Sequence, residues 1–225
     1  MKKPSLLVIF LTVFIDLIGF GIVLPLLPTY AEEYHASGFL IGLISASFSL
    51  MQFLFAPAWG RLSDRIGRRP VLLISNFGSA ASYGLFALSA WPGFSHQMAL
   101  AVLLISRVFA GVCGASLSVA SAYIADITPP EGRSKGLGLI GAAFGLGFLI
   151  GPPLGSLSAS YLGLSGPGCV AAAFCLGTFI LAYFKLLESR LPGSAQVEAP
   201  SRVRLSAWPP HRPPCPLHRR RERGP

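Results

Sequence analysis

Charge is what this sequence has least of. Only 12% of its 225 residues are Asp, Glu, Lys or Arg, against about 25% in a soluble globular domain, while 52% are hydrophobic. That balance excludes an ordinary soluble fold and points to a chain that crosses a membrane several times. The net charge of +9 suggests nucleic-acid affinity until it is divided along the chain. Residues 1–191 hold 11 Lys and Arg against 7 Asp and Glu, and residues 192–225 hold 7 Arg against 2 Glu. Over half of the excess therefore sits in a short terminal stretch with one aromatic, Trp208, and no fold to present it, so no nucleic-acid partner is expected. Cysteine is also sparse, and none of the four forms a C-x-x-C pair. Cys113, Cys169 and Cys175 lie in apolar runs, where a thiol behaves as a small hydrophobe, so neither a disulfide framework nor a metal site is expected. The apolar runs hold no histidine, no paired acids and no serine with a base nearby, which argues against an intramembrane enzyme. A cleaved leader is not expected either: the first run is too long, contains Asp16 and lacks an A-x-A site.

What the sequence has in abundance is long apolar runs. Six are expected at about residues 5–27, 39–59, 70–90, 98–125, 136–157 and 168–187, each near the length a helix needs to cross a hydrocarbon core of about 30 Å. The predicted fold class is an all-α membrane protein with six transmembrane helices over residues 1–191. Pro25 and Pro28 mark the end of the first span, leaving Thr29–Ser37 as a loop. Pro70 suits the first turn of the third span, where its missing N–H has no partner anyway. Asp126–Lys135 reads as a polar loop. Lys2, Lys3, Arg61, Arg65, Arg68, Arg69, Arg133, Lys135, Lys185 and Arg190 all fall at one set of span ends, and the other set has no Lys or Arg. The positive-inside rule then puts both termini in the cytoplasm.

From about Pro192 the texture changes, with eight prolines and seven arginines in 34 residues. No helical or strand period survives, so a disordered tail is expected over 192–225. It reads either as a basic segment held against anionic lipid or as the product of a shifted reading frame in GC-rich DNA. The second is the favoured expectation.

Three groups of residues stand out. Asp16 lies near the middle of span one, where a carboxylate costs about 2.5 kcal/mol or more and so should face a cavity or a partner. Such an acid suits loading and release of a proton as water access changes; the alternative is a structural hydrogen bond. Arg107, the only charge in span four, lies about 4–10 Å away in depth, so it either pairs with Asp16 or bonds freed backbone carbonyls. Gln52 in span two offers a polar contact to substrate or an interhelical hydrogen bond. Glycines form the second group: Gly147, Gly151 and Gly155 recur every four residues in span five, with Gly141 and Gly145 as another such pair, and this spacing lets membrane helices approach closely. Ser106, Ala110 and Gly114 repeat it in span four, and Pro152-Pro153 predicts a kink. The third group is the stretch Gly60-Arg61-Leu62-Ser63-Asp64-Arg65-Ile66-Gly67-Arg68-Arg69-Pro70. It is expected as a short loop in which Gly60 and Gly67 permit tight turns. Asp64 can accept from a helix N-terminus or pair with Arg65 or Arg68, and Asp126 offers another acceptor on the same side.

With these residues the chain resembles the major facilitator superfamily, and within it the tetracycline/proton antiporters and related drug efflux proteins. The loop Gly60-x-x-x-Asp64-Arg65-x-Gly67-Arg68-Arg69 resembles the superfamily's loop between helices two and three. Arg107-x-x-x-Gly111 resembles its helix-four motif, and Gly147-x-x-x-Gly151-Pro152-x-x-Gly155 its helix-five antiporter motif, with Ser156 in place of the closing glycine. Asp16-x-x-Gly19-x-Gly21 with Pro25-x-x-Pro28 is similar to the first helix of the tetracycline group. The resemblance covers residues 5 to about 191 and only the N-terminal six-helix half of such a transporter, whose two halves rock about a central site. It implies a bacterial inner-membrane exporter exchanging an amphipathic drug for a proton, with no cofactor beyond that coupling ion. It also implies that Asp64 docks on the second half and that the loop arginines pair with Asp126 in one state. The expectation is therefore a transporter cut to its N-terminal half. Alternatives are a half-size homodimer, a sugar or metabolite transporter of the superfamily, and a non-transporting membrane scaffold.

Overall fold

A computed structural model describes residues 6–114 and 116–187. The 192–225 tail, with both readings of it, lies outside the described residues. Among these, every regular element is helical, and six stretches are long and apolar enough to cross a membrane. They are built from α1 (Leu6–Val23), α2 (Leu27–Glu33), α3 (Gly38–Ile66), α4 (Arg68–Leu88), α5 (His96–Cys113), α6 (Ser116–Ile127), α7 (Arg133–Leu162) and α8 (Gly166–Lys185). α1 with α2 makes the first span, and α5 with α6 makes the fourth.

The span boundaries differ from the sequence expectation in four places. Thr29–Ser37 is helical as far as Glu33, because Pro28 sits in the first turn of α2, where a missing N–H costs no hydrogen bond. The arginine-rich stretch is not a ten-residue loop. α3 runs on through Gly60 to Ile66, and α4 begins at Arg68. Twenty-nine residues span about 44 Å, so the last turns of α3 pass beyond a core of about 30 Å and can carry charge in water. Gly60 therefore makes no turn, and Gly67 makes it alone, at φ 103° and ψ 160°, a conformation essentially reserved for glycine. The polar loop after span four shrinks as well: α6 continues to Ile127, Pro130–Gly132 forms one 3₁₀ turn, and α7 starts at Arg133. α7 remains helical through Pro152 and Pro153.

The fourth difference is a break at Gly114 inside the predicted span 98–125. Here the chain leaves three carbonyls at the end of α5, and three side chains from neighbouring helices meet them. Trp59 Nε1 donates to the Val112 carbonyl at 2.5 Å, Ser75 Oγ to Cys113 at 2.6 Å and Gln52 Nε2 to Gly114 at 3.3 Å. Within a membrane such orphaned carbonyls have no water to turn to, and interior side chains are what make a broken helix tolerable.

α1 is the central element, packing along α7 and α8, while α4 packs on α8 and α5, and α3 on α5. Two apolar clusters form along α1. One gathers Ile9, Val13 and Leu17 with Tyr123 and Ile124; the other gathers Ile18, Ile22 and Val23 with Tyr30, Phe86 and Cys175. Asp16 stands where one cluster gives way to the other.

Candidate functional site

A cavity of about 230 Å³ opens at that changeover. Asp16, Leu17 and Phe20 line it from α1, Phe48, Ser49 and Gln52 from α3, Ser79 and Tyr83 from α4, and Ala110, Gly114, Leu117 and Phe144 complete it. The wall is mostly aromatic and aliphatic, with one carboxylate and a few uncharged polar groups. That composition suits an amphipathic molecule held by shape and anchored by a small number of polar contacts. Phe20 is the aromatic hub, with ring centroids 5.2 Å from Phe48 and 5.7 Å from Phe148. Gln52 makes the interhelical hydrogen bond, to the Gly114 carbonyl at the α5 terminus, and also lines the cavity.

Arg107 is buried, 3% exposed, and stands apart from the cavity wall. Its guanidinium lies over the rings of Tyr83 and Phe86, 5.6 and 5.1 Å from their centroids. Nε donates to Ser106 Oγ at 3.4 Å, and Nη2 has no partner among the described residues. The ion pairs among the described residues both belong to Arg68, so none joins Arg107 to Asp16. Tyr83 stands between the two sets of contacts, with Arg107 on its ring face and Asp16 on the wall of the cavity that it also lines.

At the end of the bundle where α3 meets α4, Arg68 organises a second cluster. Its side chain is 7% exposed, and its guanidinium uses three directions at once. Nη2 meets Asp64 Oδ1 at 2.8 Å, Nε meets Asp126 Oδ2 at 3.0 Å, and Nη1 donates to Ser63 Oγ at 2.5 Å. A planar fork is what makes such a triple contact feasible; a lysine offers only a point charge. Gly67, by breaking the helix between Asp64 and Arg68, lets α4 turn back so that Arg68 can reach α6. Arg69 donates to the Tyr183 carbonyl at 2.7 Å and lies over that ring, tying α4 to α8. Arg65 is exposed.

The glycine rows divide. A Cβ on Gly147 would sit 3.0 Å from the Leu17 backbone, one on Gly151 would come 2.7 Å from Gly21 Cα, and one on Gly155 would come 3.0 Å from the Ile22 carbonyl oxygen. This row is the seam between α7 and α1, and it fixes the depth of Asp16 by fixing its helix. Gly141 and Gly145 have no neighbour within 4 Å of such a Cβ; they form no seam with the described residues, because they lie on the opposite, exposed side of α7. In span four the close approach is made by Gly111 against the Phe48 carbonyl and Met51, one residue off the predicted row, whose Ser106 and Ala110 are buried nearby.

Asp16 and Gln52 thus share the cavity; Asp64, Arg68 and Asp126 share the terminal cluster; Arg107 belongs with Tyr83. Sequence reasoning did not single out Tyr83, Ser63, Phe20 or Trp59. Ser63 lies within the arginine stretch and carried a signal as a hydroxyl beside it. Nothing distinguishes Tyr83 from other span aromatics until the fold sets it beside Asp16.

Comparisons with known proteins bear on the family of the chain. The sequence profile of the Major Facilitator Superfamily matches residues 9–220. The class E tetracycline resistance protein of Escherichia coli is 38% identical over 182 residues, covering 79% of this chain and 42% of that protein. Human major facilitator superfamily domain-containing protein 10 is 35% identical over 184 residues, covering 69% and 39%. The crystal structure of the human organic anion transporter MFSD10 (TETRAN) superposes with a TM-score of 0.70 at 31% identity, over 83% of this chain and 48% of that one. The chain therefore spans less than half the length of the relatives it matches. Six apolar helices, a central cavity and these matches together make it an integral membrane protein that belongs to the major facilitator superfamily of transporters.

Proposed function

We propose that these six helices are the N-terminal half of a proton-coupled exporter of amphipathic drugs, of the tetracycline or multidrug type. In this reading the Arg68 end is cytoplasmic and the membrane is a bacterial inner membrane. The observation that carries it is the single carboxylate, Asp16, on the wall of an otherwise apolar and aromatic cavity. An anionic Asp16 holds the polar part of the drug; a proton arriving from outside neutralises it and lets the drug go. Alternation between the two faces requires a second half to rock against. The Arg68 cluster then serves as a latch that holds α3, α4 and α6 together in one of the two states, with Asp64 facing that second half.

The test supplies the second half. Residues 1–191 joined to the C-terminal half of the class E tetracycline resistance protein, in everted vesicles, should exchange tetracycline for protons, read as a drug-dependent change in a pH-sensitive dye. The chain alone should show little flux. Tetracycline-independent dye signals in the joined protein would reject drug/proton exchange. Drug movement by the chain alone at the same rate would reject the half-transporter reading.

A further inference from the structure

The cavity shows one face of Asp16; the other is turned to α8. Cys175 Sγ donates to Asp16 Oδ1 at 3.5 Å, an ordinary separation for a thiol donor. Cys175 is fully buried, and no α8 residue lines the cavity, so the thiol meets the carboxylate from the packed side. Gly19 of α1 borders both side chains: a Cβ there would lie 3.4 Å from Cys175 Sγ, an ordinary contact, and 3.3 Å from Tyr83 Cε2, a tight one. The chemistry of the donor also matters. Most of the buried hydroxyls named here bond their own helix: Ser47, Ser82, Ser106 and Thr178 all donate to a carbonyl three or four residues back, and Ser75, which crosses to the freed Cys113 carbonyl, is the exception. A thiol competes weakly for such carbonyls and stays available to reach across to a carboxylate, which is the stronger acceptor.

We propose that Cys175 is a positioning residue for the proton-carrying carboxylate. Its thiol holds Asp16 in the rotamer that turns one oxygen to α8 and the other to the cavity. It favours the ionised form and weakens its hold when Asp16 takes up a proton. The thiol keeps its own proton throughout. The inference rests on the reading of Asp16 as a proton carrier. Among the described residues, the titratable groups around Asp16 are Tyr83 of α4, with Arg107 of α5 on its ring face, and Cys175 itself; Gln52 of α3, Leu117 of α6 and Phe144 of α7 do not titrate.

Infrared spectroscopy of the full chain in lipid nanodiscs tests this without transport. The S–H band that disappears in Cys175→Ala belongs to Cys175, and the carboxyl band that disappears in Asp16→Asn belongs to Asp16. The S–H band should move to higher frequency as pH falls, with the same midpoint as the Asp16 band, and should stop responding to pH in Asp16→Asn. In Cys175→Ala the Asp16 midpoint should rise by about half a pH unit, since a hydrogen bond to the charged form has been removed. An Asp16 band that titrates while the Cys175 S–H band stays fixed overturns this inference alone. An Asp16 band that never titrates overturns it together with the proton-carrier reading. The pH response of the S–H band is read on the unaltered chain, and the variants serve to assign the bands; Cys175→Ser, which keeps the size of the side chain, provides a second assignment should Cys175→Ala misfold.

Discussion

Arg68 gathers Ser63, Asp64 and Asp126 around one guanidinium, and its residue-scale consequences are specific. Arg68→Lys keeps the charge and loses the fork, so at most one of the three contacts survives with good geometry. The loss should be about 1–3 kcal/mol, read as a lower midpoint of thermal unfolding in detergent. Arg68→Lys combined with Asp126→Asn should cost less than the sum of the single changes, because the two share one bond. Gly67→Ala should cost about 1–3 kcal/mol for a different reason, since its φ of 103° strains any side chain. An unchanged unfolding midpoint in Gly67→Ala contradicts the placement of the turn. The charges of this motif were legible in the sequence; the geometry was not. Gly60 looked as good a turn residue as Gly67. What separated them was the length of α3, which outruns the membrane core and keeps Gly60 inside a helix.

Among elements, the seam between α1 and α7 sets the cavity. Gly151→Ala should destabilise the bundle by about 1–3 kcal/mol, because the new methyl meets the Gly21 backbone. Gly145→Ala, on the same helix but facing open space, should be neutral or stabilising by up to about 1 kcal/mol through helix propensity alone. Unfolding midpoints of the two variants, compared in one detergent, decide the matter; equal effects would contradict the assigned seam. Both glycine rows show the same spacing in the sequence, so periodicity revealed that a seam exists and said nothing of which row forms it. The break between α5 and α6 shows a similar limit. Gly111 to Gly114 carries no proline, and the break depends on Trp59, Ser75 and Gln52, which are 38 to 62 residues away. Ser75→Ala, which leaves the Cys113 carbonyl unmet in an apolar interior, should cost about 1–3 kcal/mol.

For the molecule as a whole, the six spans, their apolar character and the family were all readable from the chain, because membrane crossing imposes a length and composition that few other constraints blur. The cavity was not. It requires five packed spans to be set at the right depths, and Asp16 and Arg107, close in depth by counting, have different surroundings: Asp16 lines the cavity and Arg107 lies on the ring face of Tyr83. In the proposed mechanism Asp16 exchanges its proton with the cavity that it lines. The central claim is that Asp16 carries the coupling proton and, when ionised, adds a polar anchor to a drug held mainly by the aromatic wall. Asp16→Asn in the protein joined to a second half separates the two roles. Proton-driven accumulation of labelled tetracycline in everted vesicles should fall to background, while exchange of labelled for unlabelled drug across the membrane should persist. Accumulation that survives in Asp16→Asn at the wild-type rate would contradict the account.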